Sequence, residues 1–297
     1  MQRAGRRAVA HPRTADRVRS LYLALGLLAA VPARADEQLL LRPAADIAIG
    51  ATALGTLVAT ELLQDRLVPA SCRICEGPDN SGLPGTGGRG SLNAVDAWFH
   101  DALTVSWREG ASTASTVLAD AIVPLGAIAG AFAFTGPSAS DGAGLRAALI
   151  VAESAAVSSA LVQLTKFATA RKRPFVRYGH GAPEGAYAVA GADDRLSLPS
   201  GHTALTASVT TSLAMAAQLQ GSSAAPWLWG AAAAMTGTVG ALRIAAEKHY
   251  FTDVLAGAAI GAGCGIAIPL LHRPGALLGR ELTFASAPLA FSVSGRM

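Results

Sequence analysis

Three short groups of polar residues interrupt otherwise apolar stretches of this 297-residue chain. The first holds two cations, the second a serine and a histidine, and the third an arginine, a histidine and an aspartate. In order they are Lys166 and Arg173; Pro199, Ser200, Gly201 and His202; and Arg243, His249 and Asp253. All three groups fall at predicted helix ends. Antiparallel packing of those helices is expected to bring the ends together.

The first chemical property of this set is an affinity for phosphate. Lys166 and Arg173 are two helical turns apart and project from one face, and with Arg243 they can neutralise three phosphate oxygens. The unpaired N–H groups at a helix N-terminus bind anions, and Ser200 and Gly201 open a helix. These residues predict a phosphoryl-transfer site without a metal, so no metal ligand and no cofactor are assigned.

The two histidines supply the reactive groups of such a site. His249 and Asp253 are four residues apart, so the carboxylate is placed to hold one ring nitrogen and leave the other free. The free nitrogen is expected to attack phosphorus and form a phosphohistidine. His202, from the other side, is expected to protonate the leaving oxygen and then to activate water.

These three motifs carry a family resemblance. Lys166-(six)-Arg173-Pro174, Pro199-Ser200-Gly201-His202 and Arg243-(five)-His249-(three)-Asp253 resemble the signature of the type 2 phosphatidic acid phosphatase / vanadium haloperoxidase superfamily. Leu242 departs from the pattern, because the family usually has serine there. The resemblance implies a helical core, a nucleophilic third-motif histidine, an acidic second-motif histidine and no required metal. It also implies phosphate-ester substrates, including those of lipids, and a pocket that holds vanadate in haloperoxidase members.

The elements that position these residues are predicted to be helices, which makes the fold class an all-α bundle with its active site at converging helix ends. Apolar periodicity and proline or glycine breaks place helices at 44–64, 93–107, 112–134, 145–172, 200–220, 225–246 and 252–272. The alternating tail at 282–293 favours a short β-hairpin. The predicted regions are 1–35, 36–110, 111–275 as the phosphatase-type core, and 276–297.

The N-terminus predicts an exported protein. Residues 1–35 combine an arginine-rich start, an apolar run at Leu21–Val31 and an Ala33-Arg34-Ala35 cleavage site, as in a signal peptide. An uncleaved anchor is the alternative. The mature chain would then start near Asp36 in the periplasm, where Cys72 and Cys75 favour a local disulfide.

The composition fits either a protein outside the membrane or one that is embedded in it. The chain is 51% hydrophobic and 15% charged, and several helices are near 20 residues long. Mid-helix polar groups favour a soluble or membrane-surface bundle, with an integral membrane protein whose site faces the periplasm as the alternative. The mild net charge of +4, without a basic stripe, excludes nucleic acid as an expected partner.

The leading hypothesis is therefore a metal-independent phosphatase acting on a phosphomonoester or pyrophosphate, with a phosphorylated lipid or a small phosphate ester as its partner. A vanadium-dependent haloperoxidase and a non-catalytic phosphate- or lipid-binding protein are the alternatives. Outside the motifs, Arg171, Lys172 and Arg177 are expected either to widen a positive funnel or to be solvated. His100 and His272 are expected at the surface or partly packed.

Overall fold

The computed structural model describes residues 38–71, 73–74, 92–134, 142–178, 191–276, 283–287 and 290–294. The predicted leader and the Cys72–Cys75 pair lie outside these ranges. The helices are α1 Pro43–Leu62, α2 Gln64–Leu67, α3 Ala94–Leu103, α4 Arg108–Val117, α5 Val123–Ala133, α6 Ala143–Thr169, α7 Pro174–Tyr178, α8 Gly201–Leu219, α9 Ala225–Ala245 and α10 Phe251–Leu271. A π-helical turn, Leu118–Ile122, joins α4 to α5, and a 3-10 turn spans Ala192–Arg195. The all-α prediction is confirmed.

The bundle is built around α8, most of whose side chains are buried. Helices α6, α9 and α10 pack against it. Glycines at 257, 261 and 265 on α10 face α8, and a Cβ at Gly261 would collide with the carbonyl oxygen of Ala204. Since only glycine permits this approach, the backbones of α8 and α10 lie in close contact.

Two helix boundaries differ from the sequence-based prediction. The predicted helix at 93–107 ends at Leu103, and the next begins at Arg108 rather than at 112. The start of α3 has a recognisable cap, because the Asn93 side chain accepts a hydrogen bond from the Asp96 N–H at 2.9 Å. The start of α4 follows Trp107, whose side chain makes no such bond, so the sequence gives no signal there.

The C-terminal tail forms the short hairpin that its alternating pattern favoured. Strand β1, Thr283–Ala287, pairs antiparallel with β2, Ala290–Ser294. Thr283 lies opposite Ser294, and Ala287 lies opposite Ala290.

Four helical segments are long and apolar enough to cross a membrane: Pro43–Leu62, Arg108–Ala133, Ala143–Tyr178 and Phe251–Leu271. Large apolar side chains on the outside of the bundle remain exposed, including Leu62 at 79% and Leu125 at 66%. The fold is therefore compatible with membrane association.

Candidate active site

The three sequence motifs meet at one end of the bundle. Lys166 lies near the end of α6, Ser200 and His202 at the start of α8, Arg243 at the end of α9, and Asp253 in the first turn of α10. Backbone hydrogen bonds hold the connecting segments together: Ser200 N–H donates to the Asp253 carbonyl at 2.9 Å, and Ser197 N–H donates to the Arg171 carbonyl at 3.0 Å.

The cations face a common space beside His249. The Arg173 Nη1 atom lies 3.4 Å from His249 Nε2, and a Cβ built at Gly201 would lie 3.5 Å from the Lys166 Nζ atom. Arg243 Nη1 donates to the Ser115 hydroxyl at 3.3 Å, while its buried Nε has no hydrogen-bond partner in the described part of the chain. Three positive side chains and a helix N-terminus thus converge as a phosphate requires.

His249 is held as a neutral imidazole with a defined tautomer. Its side chain is 1% exposed, and Nδ1 lies 2.7 Å from the Ser197 carbonyl oxygen. Because a carbonyl can only accept, Nδ1 carries the hydrogen and Nε2 carries the lone pair. Burial lowers the pKa of His249 well below its usual value, and the positive charges of Arg173 and Arg243 lower it further. The unprotonated nitrogen therefore points toward the cations.

The direct partner of His249 Nδ1 differs from the one predicted. The nearest Asp253 oxygen is 3.9 Å from Nδ1, and the Ser197 carbonyl makes the hydrogen bond instead. Asp253 is occupied by its own helix and its neighbours: Oδ2 accepts from Tyr250 N–H at 2.9 Å and from the Ser197 hydroxyl at 2.6 Å. A carboxylate in the first turn of a helix meets these unpaired N–H groups first.

Arg171 is a buried structural residue, not a solvated one. It is 3% exposed and forms ion pairs with Asp96, at 2.8 Å, and with Asp253. Asp96 in turn accepts from the Thr252 N–H at 2.8 Å. This network ties α3 to the start of α10. Sequence reasoning missed Asp96 and Ser197, and the one available signal was an aspartate in the first turn of an amphipathic helix. Arg177 is likewise buried, at 8% exposure.

His202 lies in the first turn of α8, next to the π-helical turn. Its Nε2 atom lies 3.3 Å from the Thr116 hydroxyl and 3.4 Å from Asp120 Oδ2. The extra residue of a π turn rotates the following side chains, and such turns often occur at functional sites. Here the turn presents the Asp120 carboxylate to the imidazole. The sequence contained no signal for this pairing.

Glu247 fixes the loop that carries His249. It is fully buried and has a positive φ of 55°, which lets the chain reverse between α9 and α10. Its carboxylate lies 3.0 Å from His100 Nε2 and 3.1 Å from Arg108 Nε. His100 is partly packed as expected, with its ring stacked on Tyr178. Leu242, where the family pattern has serine, packs with Val105 against alanines of α4 and α9.

A helical bundle with cations, a neutral histidine and a helix N-terminus at one end has the groups that phosphate binding needs. Comparison with known families identifies the segment: residues 147–274 match the model described as the PAP2 superfamily. This match confirms the resemblance to the type 2 phosphatidic acid phosphatase superfamily and supports a phosphatase-type activity. Searches of curated proteins and of solved structures gave no match.

Proposed function

We propose that this chain is a metal-independent phosphatase that hydrolyses a phosphomonoester or pyrophosphate through a phosphohistidine. The observation that carries the proposal is the orientation of His249. Its Nε2 lone pair lies 3.4 Å from Arg173 Nη1, while Nδ1 is fixed by the Ser197 carbonyl. A neutral nucleophile directed at a cluster of cations is what attack on a phosphate needs.

In the first step the substrate phosphate is bound by Lys166, Arg173 and Arg243. His249 Nε2 forms a bond to phosphorus as the bond to the leaving oxygen breaks. The leaving oxygen departs on the face opposite the nucleophile, where His202 donates a proton to it. Burial and the charges of Arg243 and Lys166 lower the pKa of His202 to about 3, and the negative charge of the bound phosphate offsets these cations so that the ring takes up its proton when substrate binds. The cations offset the charge on the phosphoryl oxygens throughout.

In the second step water attacks the phosphohistidine, and His202 accepts the proton that the water loses. The bond between Nε2 and phosphorus breaks, which releases inorganic phosphate and restores neutral His249. Asp120, 3.4 Å from the His202 Nε2 atom, stabilises the imidazolium in the half-reactions where it is present.

The defining experiment is trapping of the phosphoenzyme. We expect a rapid acid quench with a labelled phosphomonoester to capture an acid-labile phosphohistidine in the parent protein and none in His249→Ala. His202→Ala should slow turnover by about 10²–10⁴-fold, with the larger effect on esters with basic leaving groups. A strict requirement for Mg²⁺, or label retained in His249→Ala, would refute the mechanism.

A matched pair of cation variants controls for loss of charge. Arg173→Ala should reduce kcat/KM by about 10²–10³-fold because it removes a contact to the phosphoryl oxygens. Lys172→Ala removes the same charge one position earlier and should leave kcat/KM nearly unchanged. Equal losses in both variants would mean that the site attracts phosphate by net charge alone.

We infer that the bundle is embedded in a membrane and that its substrate is carried on a lipid. Four helical segments are apolar enough to cross, and the exposed side of α1 carries Ile47, Leu54 and Leu62, each at 60% or more of full exposure. Exposing such a continuous apolar surface to water is unfavourable, whereas lipid tails cover it without cost. A site at one end of such a bundle lies at head-group level.

The two ends of the bundle provide a test of orientation. Leu40 N–H donates to the His272 carbonyl at 2.8 Å, so α1 begins at the end of α10 that is remote from the site. For a site facing the periplasm, Lys172→Cys should react with an impermeant maleimide in intact cells, and Pro274→Cys only after lysis. The natural cysteines are replaced first. Labelling of both positions in intact cells would instead indicate an exported bundle that does not span, as the predicted signal peptide favours.

A further inference from the structure

Three side chains that phosphoryl transfer does not use meet at the end of the bundle remote from the site. They are Asp46 near the start of α1, Glu153 in the middle of α6 and His272 immediately after α10. The 21 residues of α10 separate them from the site by about 30 Å. His272 is 1% exposed, so the expectation of a surface or partly packed histidine was wrong.

In this cluster, one oxygen of each carboxylate faces the same ring nitrogen of His272. His272 Nδ1 lies 2.8 Å from the Ile268 carbonyl oxygen and therefore carries the hydrogen. Nε2 faces Asp46 Oδ1 and Glu153 Oε2, each 3.3 Å away. Two carboxylate oxygens this close to one ring nitrogen need a positive charge among them, which either a proton on Nε2 or a bound cation supplies.

A second observation shows an unused ligand position in the same place. Glu153 is 8% exposed, and its Oε1 atom has no hydrogen-bond partner within the described ranges. A buried carboxylate oxygen without a partner is costly. The cluster borders a cavity of about 590 Å³ between α1 and α6, whose wall includes Asp46 and Glu153 among apolar side chains.

We propose that Asp46, Glu153 and His272 bind one divalent transition-metal ion, Zn²⁺ or Mn²⁺. Ligand atoms about 2.1 Å from a metal at tetrahedral or octahedral angles lie about 3.0–3.4 Å from one another, and the two measured spacings are 3.3 Å. One imidazole with two carboxylates suits these ions. Glu153 Oε1, which has no other partner among the described residues, offers a fourth ligand atom, because a carboxylate can bind an ion through both oxygens.

The groups behind the ligands also match a metal site. A metal-binding histidine ordinarily donates its other N–H to a carbonyl, as His272 does to Ile268. Asp46 Oδ2, the oxygen turned away from the histidine, accepts the backbone N–H of Arg42 at 2.7 Å. Each of these contacts orients a ligand without occupying the atom that binds the ion.

The ion would hold α1 to the rest of the bundle. Helix α1 buries little of its surface and packs mainly on α6. The ligands come from α1, from α6 and from the residue after α10, so one ion connects three segments that are distant in sequence. This role is structural, and it adds a site that the sequence analysis, which assigned no metal, did not contain. It is independent of the phosphatase proposal.

The test measures metal directly on the full chain, purified through a tag without histidine and stripped with a chelator. We expect Zn²⁺ or Mn²⁺ titration to give one ion per chain and to raise Tm by about 5 °C or more at 100 times Kd, with Mg²⁺ giving no such rise. Glu153→Gln and His272→Ala should weaken binding at least 10-fold and abolish the Tm increase.

Ser154→Ala is the matched control. It alters the neighbouring buried side chain on α6, which bonds to Ser212 at 3.0 Å, and should leave the metal stoichiometry at one. Phosphoenzyme formation should persist in Glu153→Gln, which separates this proposal from the phosphatase mechanism. The proposal is overturned if the parent protein binds neither ion below millimolar concentration, or if Glu153→Gln and Asp46→Asn both bind as tightly as the parent.

Discussion

Arg171 and Arg173 are separated by a single residue, but their replacement is expected to affect different properties of the protein, stability for Arg171 and activity for Arg173. Arg171 is enclosed between the buried carboxylates of Asp96 and Asp253. Arg173 lies beside His249 and pairs at 2.6 Å with Asp193, whose side chain is 61% exposed. We therefore expect replacement of Arg171 to reduce stability and replacement of Arg173 to reduce activity.

The loss of stability expected for Arg171→Gln follows from the two buried carboxylates that the change leaves without a partner. Removing one partner of a buried ion pair costs about 3–5 kcal/mol, because the remaining charge is buried and uncompensated. Here two carboxylates lose the same partner, and both are below 2% exposure. At about 2–4 °C per kcal/mol for a chain of this size, Tm should fall by roughly 10 °C or more. Arg173→Gln leaves one exposed carboxylate and the carbonyls of Asp193 and Lys248 without this donor, but no buried charge, so Tm should fall by less than in Arg171→Gln.

The assay is thermal unfolding of both variants, followed by activity at a temperature where each is folded. Adding Asp96→Asn to Arg171→Gln removes one of the unpaired charges and should recover roughly 1–2 kcal/mol. The reasoning is refuted if Arg171→Gln unfolds at the parent temperature, or if Arg173→Gln is the less stable of the two. An Asp96→Asn change that destabilised Arg171→Gln further would also contradict it.

Three further predictions concern His249, the α8–α10 contact and Asp120. The pKa of buried His249 is below its unfolded value near 6.5, so the unfolded chain binds the extra proton and stability is lost as pH falls below 6.5. Unfolding of His249→Gln should therefore show a smaller pH dependence below pH 6.5 than unfolding of the parent protein. Gly261→Ala should destabilise by about 1–3 kcal/mol through its clash with Ala204, whereas Gly263→Ala, with open space around its Cβ, should not; comparing their unfolding midpoints tests this. Asp120→Asn should slow release of the alcohol from alkyl phosphates about 10-fold in a single turnover but leave single-turnover release of nitrophenolate nearly unaffected, since nitrophenolate departs without a proton; equal slowing of both release steps would exclude a role through His202 in leaving-group departure.

The sequence was informative wherever a residue type and its position along a helix determine the outcome. Helix ends marked by Pro174 and by Ser200-Gly201 were placed within a few residues, and these ends carry the cations and histidines into one space. Helix periodicity also identified the long apolar segments. It did not distinguish burial in protein from exposure to lipid, because alanine-rich helices with serine and threonine occur in both.

What the sequence left out depends on backbone geometry and on contacts between distant residues. Arg171 and Arg173 belong to one basic run, and nothing in that run shows that Asp96, 75 residues earlier, pairs with the first of them. No residue pattern predicts the π-helical turn at Leu118–Ile122 either, although this turn places Asp120 next to His202. His272 looked isolated because its partners, Asp46 and Glu153, lie 226 and 119 positions away.

Asp253 shows how the geometry changes a role that the sequence had assigned by spacing. The i,i+4 relation to His249 predicted direct contact, yet the carboxylate reaches the histidine only through Ser197. Asp253 accepts the Ser197 hydroxyl at 2.6 Å, and the Ser197 carbonyl, 2.7 Å from Nδ1, sets the tautomer. The carboxylate therefore positions a backbone group rather than stabilising an imidazolium by contact. This suits the nucleophile of the proposed mechanism, which must remain neutral, since a carboxylate bonded directly to Nδ1 would favour the protonated ring and remove the lone pair proposed to attack phosphorus.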